Sequence, residues 1–380
     1  MNQGVRHLSL YQFRNYQSLN LDVGQGPIVL TGPNGAGKTN ILEAISLFCP
    51  GRGLRGAKLN EIVSQNVINQ TGLLWGTSLQ LDDETHLATG LEKTIQGTEK
   101  RLYKLHYQSI RNQAPFAEWL NIIWLTPETD RLFLESPSVR RKFIDRLIYA
   151  EDPLHAERLN RYDQALKERL MVLRNHGDPS WLNALEEQLA SHGVAIAVTR
   201  RQLMNKLNQM AHHPSLFPSF ITRMIGEIDD WVQEKPATEV ETQAKQMLYQ
   251  NRRLDQESGT TKFGPHRSDW QVIHQAKNIT ADQASTGEQK ILLIAVIMAF
   301  IHHKLYFDPR LTILLLDDII AHLDFHHRMV LFEQLAVLQS QTDLKGHLQT
   351  WLTGTDPLLF ESLIGKAQFF MVEQATVTPG

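Results

Sequence analysis

The chain has 380 residues, 42% of them hydrophobic and 21% charged, with a formal net charge of -3 at pH 7. These values are ordinary for a globular protein and exclude a uniformly basic surface, so any nucleic-acid contact has to be a local patch. One cysteine, Cys49, excludes a disulfide framework and a cysteine-type metal cluster, and residues 1–6 lack the pattern of a signal peptide, so a cytoplasmic protein is expected.

Two apolar stretches, His7 to Phe13 and Leu19 to Val23, flank Arg14-Asn15-Tyr16-Gln17 and predict a strand pair on the edge of the sheet that follows. Ile28-Val29-Leu30 reads as a buried strand, and Ile41, Leu42 and Ile45 recur at helical spacing. Between them, Gly32-Pro33-Asn34-Gly35-Ala36-Gly37-Lys38-Thr39 fits the phosphate-loop pattern G-x-x-x-x-G-K-[S/T] in its required strand–loop–helix context. Backbone N–H groups of such a loop turn toward phosphate, and the helix aims its positive end at the same charge. Lys38 is expected on the β- and γ-phosphates and the Thr39 hydroxyl on Mg²⁺. A nucleoside triphosphate is the implied ligand.

Residues 72–110 alternate partly in apolar character and predict an antiparallel meander. From about 139 to 213 the period becomes helical, with one stripe through Leu154, Leu159, Tyr162, Leu166, Leu170 and Leu173 and another starting at Leu182, Leu185 and Leu189. Asn175-His176-Gly177-Asp178-Pro179 breaks them, giving a helical arm tens of ångströms long rather than an extended coiled coil. A further helix is expected over 239–251. The apolar run 291–301 is about half the length that crosses a bilayer and reads as a packed helix. Adjacent histidines at His212-His213, His302-His303 and His326-His327 point apart on a helix and do not share a metal.

Leu311 to Leu316 is a continuous apolar run ending in Asp317-Asp318, the way a buried parallel strand delivers carboxylates to a nucleotide site. Asp317 is the expected Mg²⁺ carboxylate and Asp318 the residue that orients or deprotonates the attacking water. Ser285-Thr286-Gly287-Glu288-Gln289 opens the apolar helix; a helix start of this kind can present an anion site, but taken alone a plain N-cap at Ser285 or Thr286 is the better explanation, and its order and spacing are what raise it. Phosphate loop, Ser-Thr-Gly-Glu-Gln, paired Asp and then Leu323-Asp324 follow the order of the ATP-binding-cassette (ABC) ATPases. In these, the signature of one subunit closes on ATP held by another.

With these residues assembled, the chain resembles the RecF family of bacterial recombination mediators along nearly its full length. Phe13-Arg14-Asn15-Tyr16 looks like the family's N-terminal motif, Ser136-Pro137-Ser138-Val139-Arg140-Arg141-Lys142-Phe143-Ile144-Asp145 like its Ser-Pro-x-x-Arg-Arg-x-Phe-Leu-Asp segment, and Gly264-Pro265-His266-Arg267 like its Gly-Pro-His-Arg block. Leu316-Asp317-Asp318 and His322-Leu323-Asp324 match the paired-Asp and D-loop pattern. The resemblance implies an α/β phosphate-loop NTPase of the ABC ATPase-head type, SMC-like, with a two-part ATPase lobe over 1–125 and 262–380, an inserted α-helical lobe over 126–261, and no long coiled coil. It implies ATP and Mg²⁺ as cofactors, with Arg14 and Asn15 at the ATP. It further implies homodimerisation on ATP, binding of double-stranded DNA near single-strand gaps, and cooperation with RecO and RecR in loading RecA. DNA repair by homologous recombination, replication recovery and SOS induction follow.

Against the pattern, Glu128 stands where the loop after Trp124 to Pro127 usually offers a Gln to the metal, and Thr353 falls where a histidine senses the γ-phosphate in transporter ATPases. Asp318 replaces a Glu and is one methylene shorter, which predicts slow hydrolysis. Candidate DNA contacts are Arg140, Arg141, Lys142, Arg200 and Arg201, although acidic neighbours make a solvated helix face the alternative for each cluster. Two rival readings stand beside the mediator: a transporter ATPase subunit, opposed by the Gly-Pro-His-Arg block, and a scaffold clamped by ATP in which hydrolysis is incidental.

Overall fold

Ile28–Thr31, Leu120–Leu125, Leu311–Leu316 and His347–Gly354 run parallel in one sheet of the computed structural model, which describes residues 4–64, 71–211, 217–341 and 344–380. Nearly all their residues are buried. Parallel strands are covered on both faces, and apolar residues dominate these, with Asn121, Thr312, Gln349, Thr350 and Thr353 among the buried polar exceptions. Gln368–Glu373 adds in parallel to Ile28–Thr31, and Thr376–Pro379 closes that edge antiparallel. The register sets Leu316 beside Leu125 and Leu352, and Gly354 beside Thr31. All four central strands therefore end on one rim, where ligands of open α/β sheets bind.

The second sheet is antiparallel and contains the expected meander, Gly72–Leu81, His86–Lys93, Glu99–Leu105 and Gln108–Ser109. The N-terminal pair, Val5–Phe13 and Tyr16–Asp22, forms as a hairpin but joins this sheet through Gly72–Leu81 rather than edging the phosphate-loop sheet. Burial alternates over Leu8–Leu10 and Leu19–Leu21, and the other residues of the two strands are mostly exposed or half-buried, which suits a sheet with one solvated face. From this sheet Arg101 donates to the carbonyls of Leu47 (2.8 Å) and Gly51 (3.2 Å), beyond the last turn of the helix Lys38–Ser46. It thereby supplies donors and positive charge where a helix has orphan carbonyls.

The chain divides into two compact units, Met1–Asp130 with Ile301–Gly380, and Arg131–Phe300. The second is largely helical. His155–Arg174 and Pro179–Met210, of 20 and 32 residues, span roughly 30 and 48 Å at 1.5 Å per residue. They break at the expected place: Asp178 accepts from the Ser180 N–H at 2.8 Å, and Pro179 takes the first helical position. Tyr162, Leu185, Leu189 and Ile196 pack in one core with Val240 and Leu248 of the helix Ala237–Gln250. The upper boundary, expected at 261/262, lies at 300/301. Asp269–His274 pairs with Phe220–Ile225 in a three-stranded sheet and so draws the segment after 262 into this unit. The His212-His213 pair lies outside the described residues.

In this unit His266 carries its proton on Nε2, which donates to the Thr261 carbonyl at 2.9 Å, while Nδ1 accepts from the Tyr162 hydroxyl at 2.8 Å. Burial pushes its pKa down to about 4. The unfolded ring titrates near 6.5. Between these values the unfolded chain binds the extra proton, so stability is full above about pH 6.5 and falls as pH drops toward about 4, by roughly 2–3 kcal/mol. Urea unfolding measured at pH 7 and pH 5 should show the greater part of that loss in the wild type and a clearly smaller one in His266→Gln.

Candidate nucleotide-binding site

The phosphate loop grows out of Ile28–Thr31 at the sheet rim and turns into the helix Lys38–Ser46. Two of its glycines are forced. A Cβ on Gly32, at φ +145°, would lie 2.0 Å from the Val372 carbonyl oxygen. One on Gly37, at φ +117°, would meet the Tyr16 hydroxyl at 2.6 Å and Asn15 Nδ2 at 2.7 Å. Pro33, Asn34 and Gly35 form the exposed tip, with open space around Gly35, and Ala36 is buried. Asn15 holds the loop from the N-terminal hairpin, donating to the Ala36 carbonyl at 3.0 Å and accepting from Asn40 at 2.7 Å.

Lys38 is 4% exposed, and its ammonium donates to the carbonyls of Gly32 (2.7 Å) and Pro33 (2.9 Å). Burial lowers its pKa, while the Asp318 and Asp317 carboxylates oppose that shift. The ammonium is thus held inside the loop on acceptors weaker than a phosphate oxygen.

The two motifs 278 positions apart meet at one atom. Asp317 Oδ1 accepts from the Thr39 hydroxyl at 2.8 Å and from the Thr353 hydroxyl at 2.9 Å. Thr353 Oγ1 in turn accepts the Asp318 N–H at 2.8 Å. Asp318 sits at φ +53°, a left-handed conformation uncommon for a side-chain-bearing residue and frequent at functional sites. Burial raises the Asp317 pKa against the two hydroxyl bonds, and the Asp318 charge adds to the rise. A hydroxyl and a buried carboxylate on one locus are the donor set of a hard divalent cation, whose charge would offset that burial.

The structure assigns other predicted residues different duties. Arg14, expected at ATP, forks onto the fully buried Glu43 at 2.8 and 2.5 Å and donates to the Glu61 carbonyl. Glu128 is exposed and makes no bond to Thr39, Asp317 or Thr353 among the described residues. Asp324 caps the helix Phe325–Ser340, accepting from the His327 N–H at 2.9 Å, and its side chain is 64% exposed. In the signature, Ser285, Thr286 and Gly287 are exposed, Glu288 is half-buried, and Gln289 is buried with its amide turned back onto the Ala284 carbonyl at 2.9 Å.

Four of the five candidate DNA contacts are spent internally. Arg140 forks onto Asp269 and reaches the Phe133 and Glu135 carbonyls, Arg141 donates to the Ser268 carbonyl, and Arg201 to that of Val232. Arg200 is 2% exposed and forks onto Asp145. Lys142 alone of the five is exposed. The sequence reading missed Tyr16, whose buried hydroxyl abuts Gly37; the Phe-Arg-Asn-Tyr motif contained it but showed no contact.

The chain matches the family described as RecF/RecN/SMC N terminal domain over residues 4–345. It is 37% identical over 380 residues to the DNA replication and repair protein RecF of Mesorhizobium japonicum, covering 99% of this chain and 97% of that one. It is 35% identical over 380 residues to RecF of Rhizobium meliloti, with 98% of each covered. A solved structure of the recombination mediator protein RecF with ATP, in the RecFOR pathway, superposes with a TM-score of 0.81 at 21% identity, covering 100% of this chain and 98% of that one; at that identity the likeness speaks to the fold. With relatives this similar along its whole length, and with the phosphate loop and the paired aspartates brought together as described, the chain belongs to the RecF family of DNA replication and repair proteins.

Proposed function

We propose that the protein is an ATP-dependent recombination mediator. Two copies associate on ATP, hold double-stranded DNA near single-strand gaps and, with RecR and RecO, assist the loading of RecA. The observation that carries the ATPase part is the linkage of Thr39, Asp317, Thr353 and Asp318 beside Lys38 on one sheet rim.

Bound Mg·ATP supplies the γ-phosphoryl group that is transferred to water. Thr39 and Asp317 would hold the Mg²⁺, and Lys38 exchanges its loop carbonyls for phosphate oxygens. Thr353 holds the Asp317 carboxylate and the Asp318 backbone in register. Asp318 orients the water, and its short side chain makes the hydrolysis slow. Ser285 of a second copy completes the site from a helix N-terminus, where N–H groups and the dipole favour anions.

Gel filtration with ATP, ADP or neither tests the association. Wild type should dimerise with ATP alone, and Ser285→Arg should stay monomeric. Wild type that remains monomeric with saturating ATP overturns the reading. Replacing Asp318 by Asn separates turnover from clamping: a variant that dimerises and still supports repair favours the ATP-clamped scaffold. DNA contact is read from salt. Affinity should fall steeply from 50 to 200 mM salt, with Lys142→Ala reducing the log–log slope by about 1, because each phosphate contact releases counterions. A flat affinity excludes phosphate-dominated binding.

A further inference from the structure

Ser285 stands just ahead of the helix Thr286–Phe307, and both its N–H and its hydroxyl donate to one oxygen of Glu288, Oε2, at 2.8 and 2.7 Å. This is a capping box in which the reach-back carboxylate takes both donors of the cap residue. The other oxygen, Oε1, is paired with the ammonium of Lys277, in the turn that joins Asp269–His274 to Ile279–Thr280. Glu288 thus fixes where the serine hydroxyl sits, and Lys277 fixes Glu288. Hydrogen bonds from Lys277 and Ser285 hold the Glu288 pKa down at about 2, so the carboxylate stays charged across the physiological range.

A carboxylate at a helix N-terminus suits an isolated copy, because it offsets the dipole. It conflicts with a triphosphate, whose negative charge is brought to the same serine. Neutralising Glu288 through the oxygen that faces away from Ser285 removes the conflict and leaves the anchor in place.

We propose that Lys277 is a positioning residue for the signature serine. It neutralises Glu288 and keeps it on the Ser285 N–H, so that the hydroxyl hydrogen turns from Glu288 to a phosphate oxygen held by a second copy without like-charge repulsion. The proposal rests on the two-copy reading above. In the separate chain the pair is partly exposed, at 55% and 27% of the two side chains, and contributes little. Its weight appears when a second copy displaces water and the local dielectric falls.

The test is a double-variant cycle on the full chain, read by light scattering during ATP titration. Lys277→Met should raise the ATP concentration for half-maximal association about tenfold, since like charges brought together at an interface are strongly unfavourable. Glu288→Gln keeps an acceptor for the Ser285 N–H without the charge, and should stay within about threefold of wild type. The double variant should return to the level of Glu288→Gln. Below the association concentration, Lys277→Met should bind a fluorescent ATP analogue like wild type. Unchanged or easier association of Lys277→Met overturns the proposal, as does a double variant as impaired as Lys277→Met alone. Weakened ATP binding by the single copy also overturns it, because Lys277 would then act on nucleotide in its own chain. Wild type that stays monomeric overturns the two-copy reading first and the proposal with it.

Discussion

Lys38→Met should weaken ATP binding by at least a hundredfold while leaving the melting temperature of the protein within a few degrees of wild type. The substitution keeps most of the buried methylene stem and removes only the ammonium, which lies on the Gly32 and Pro33 carbonyls. Charge-assisted hydrogen bonds are each worth about 1.5–3 kcal/mol, so losing contacts to two phosphate oxygens corresponds to roughly 10² to 10⁴ in affinity. Stability changes little because two effects oppose each other. Burial already penalises the ammonium, as its lowered pKa shows, whereas Asp317 and Asp318 lose the cation that attracts them. Fluorescence titration with an ATP analogue and calorimetry on the same sample separate the two readouts. Binding within threefold of wild type would show that the loop takes phosphate by its backbone alone.

The phosphate loop was legible in the sequence because its geometry leaves no choice of residue: the Val372 carbonyl and the Tyr16 ring stand where a side chain at Gly32 or Gly37 would go. The strands Ile28–Thr31 and Leu311–Leu316, with the Asp317-Asp318 pair at the end of the second, were legible because burial on both faces writes an apolar run, whereas Leu120–Leu125 was not anticipated and His347–Gly354 carries the buried polar residues Gln349, Thr350 and Thr353. Strand partners were not legible. Alternation in Val5–Phe13 marks a half-buried strand, yet nothing local says that it pairs with Gly72–Leu81. Charge was least legible. Arg200 sits in a dibasic pair like Arg252-Arg253, but its partner Asp145 lies 55 positions away, and that contact takes the guanidinium out of solvent. The same limit hid Lys277. A turn lysine eleven residues before Glu288 has no periodic relation to it, and only the fold brings them together.

Arg169→Met should cost the unit Arg131–Phe300 about 3–5 kcal/mol, the range for breaking a buried ion pair from one side. Arg169 is fully buried. It donates to Glu186 Oε1 at 3.0 Å, Asp255 Oδ2 at 2.7 Å, the Leu248 carbonyl at 2.7 Å and Thr261 Oγ1 at 3.2 Å, tying the two arm helices to Ala237–Gln250 and Arg252–Ser258. Methionine fits the space of the stem but leaves both carboxylates short of donors. Glu186 keeps Arg252 at 2.6 and 2.9 Å, while Asp255 keeps the Lys262 N–H at 2.9 Å. For a unit of this size the cost corresponds to a fall of roughly 10–15 °C in melting temperature. A second variant separates charge from packing. In Arg169→Met the buried Asp255 carboxylate is desolvated without its cation. Adding Asp255→Asn to Arg169→Met should recover a large part of the loss at pH 7 by removing the stranded charge. A deficit untouched by Asp255→Asn would instead assign the role of Arg169 to the packing of its stem.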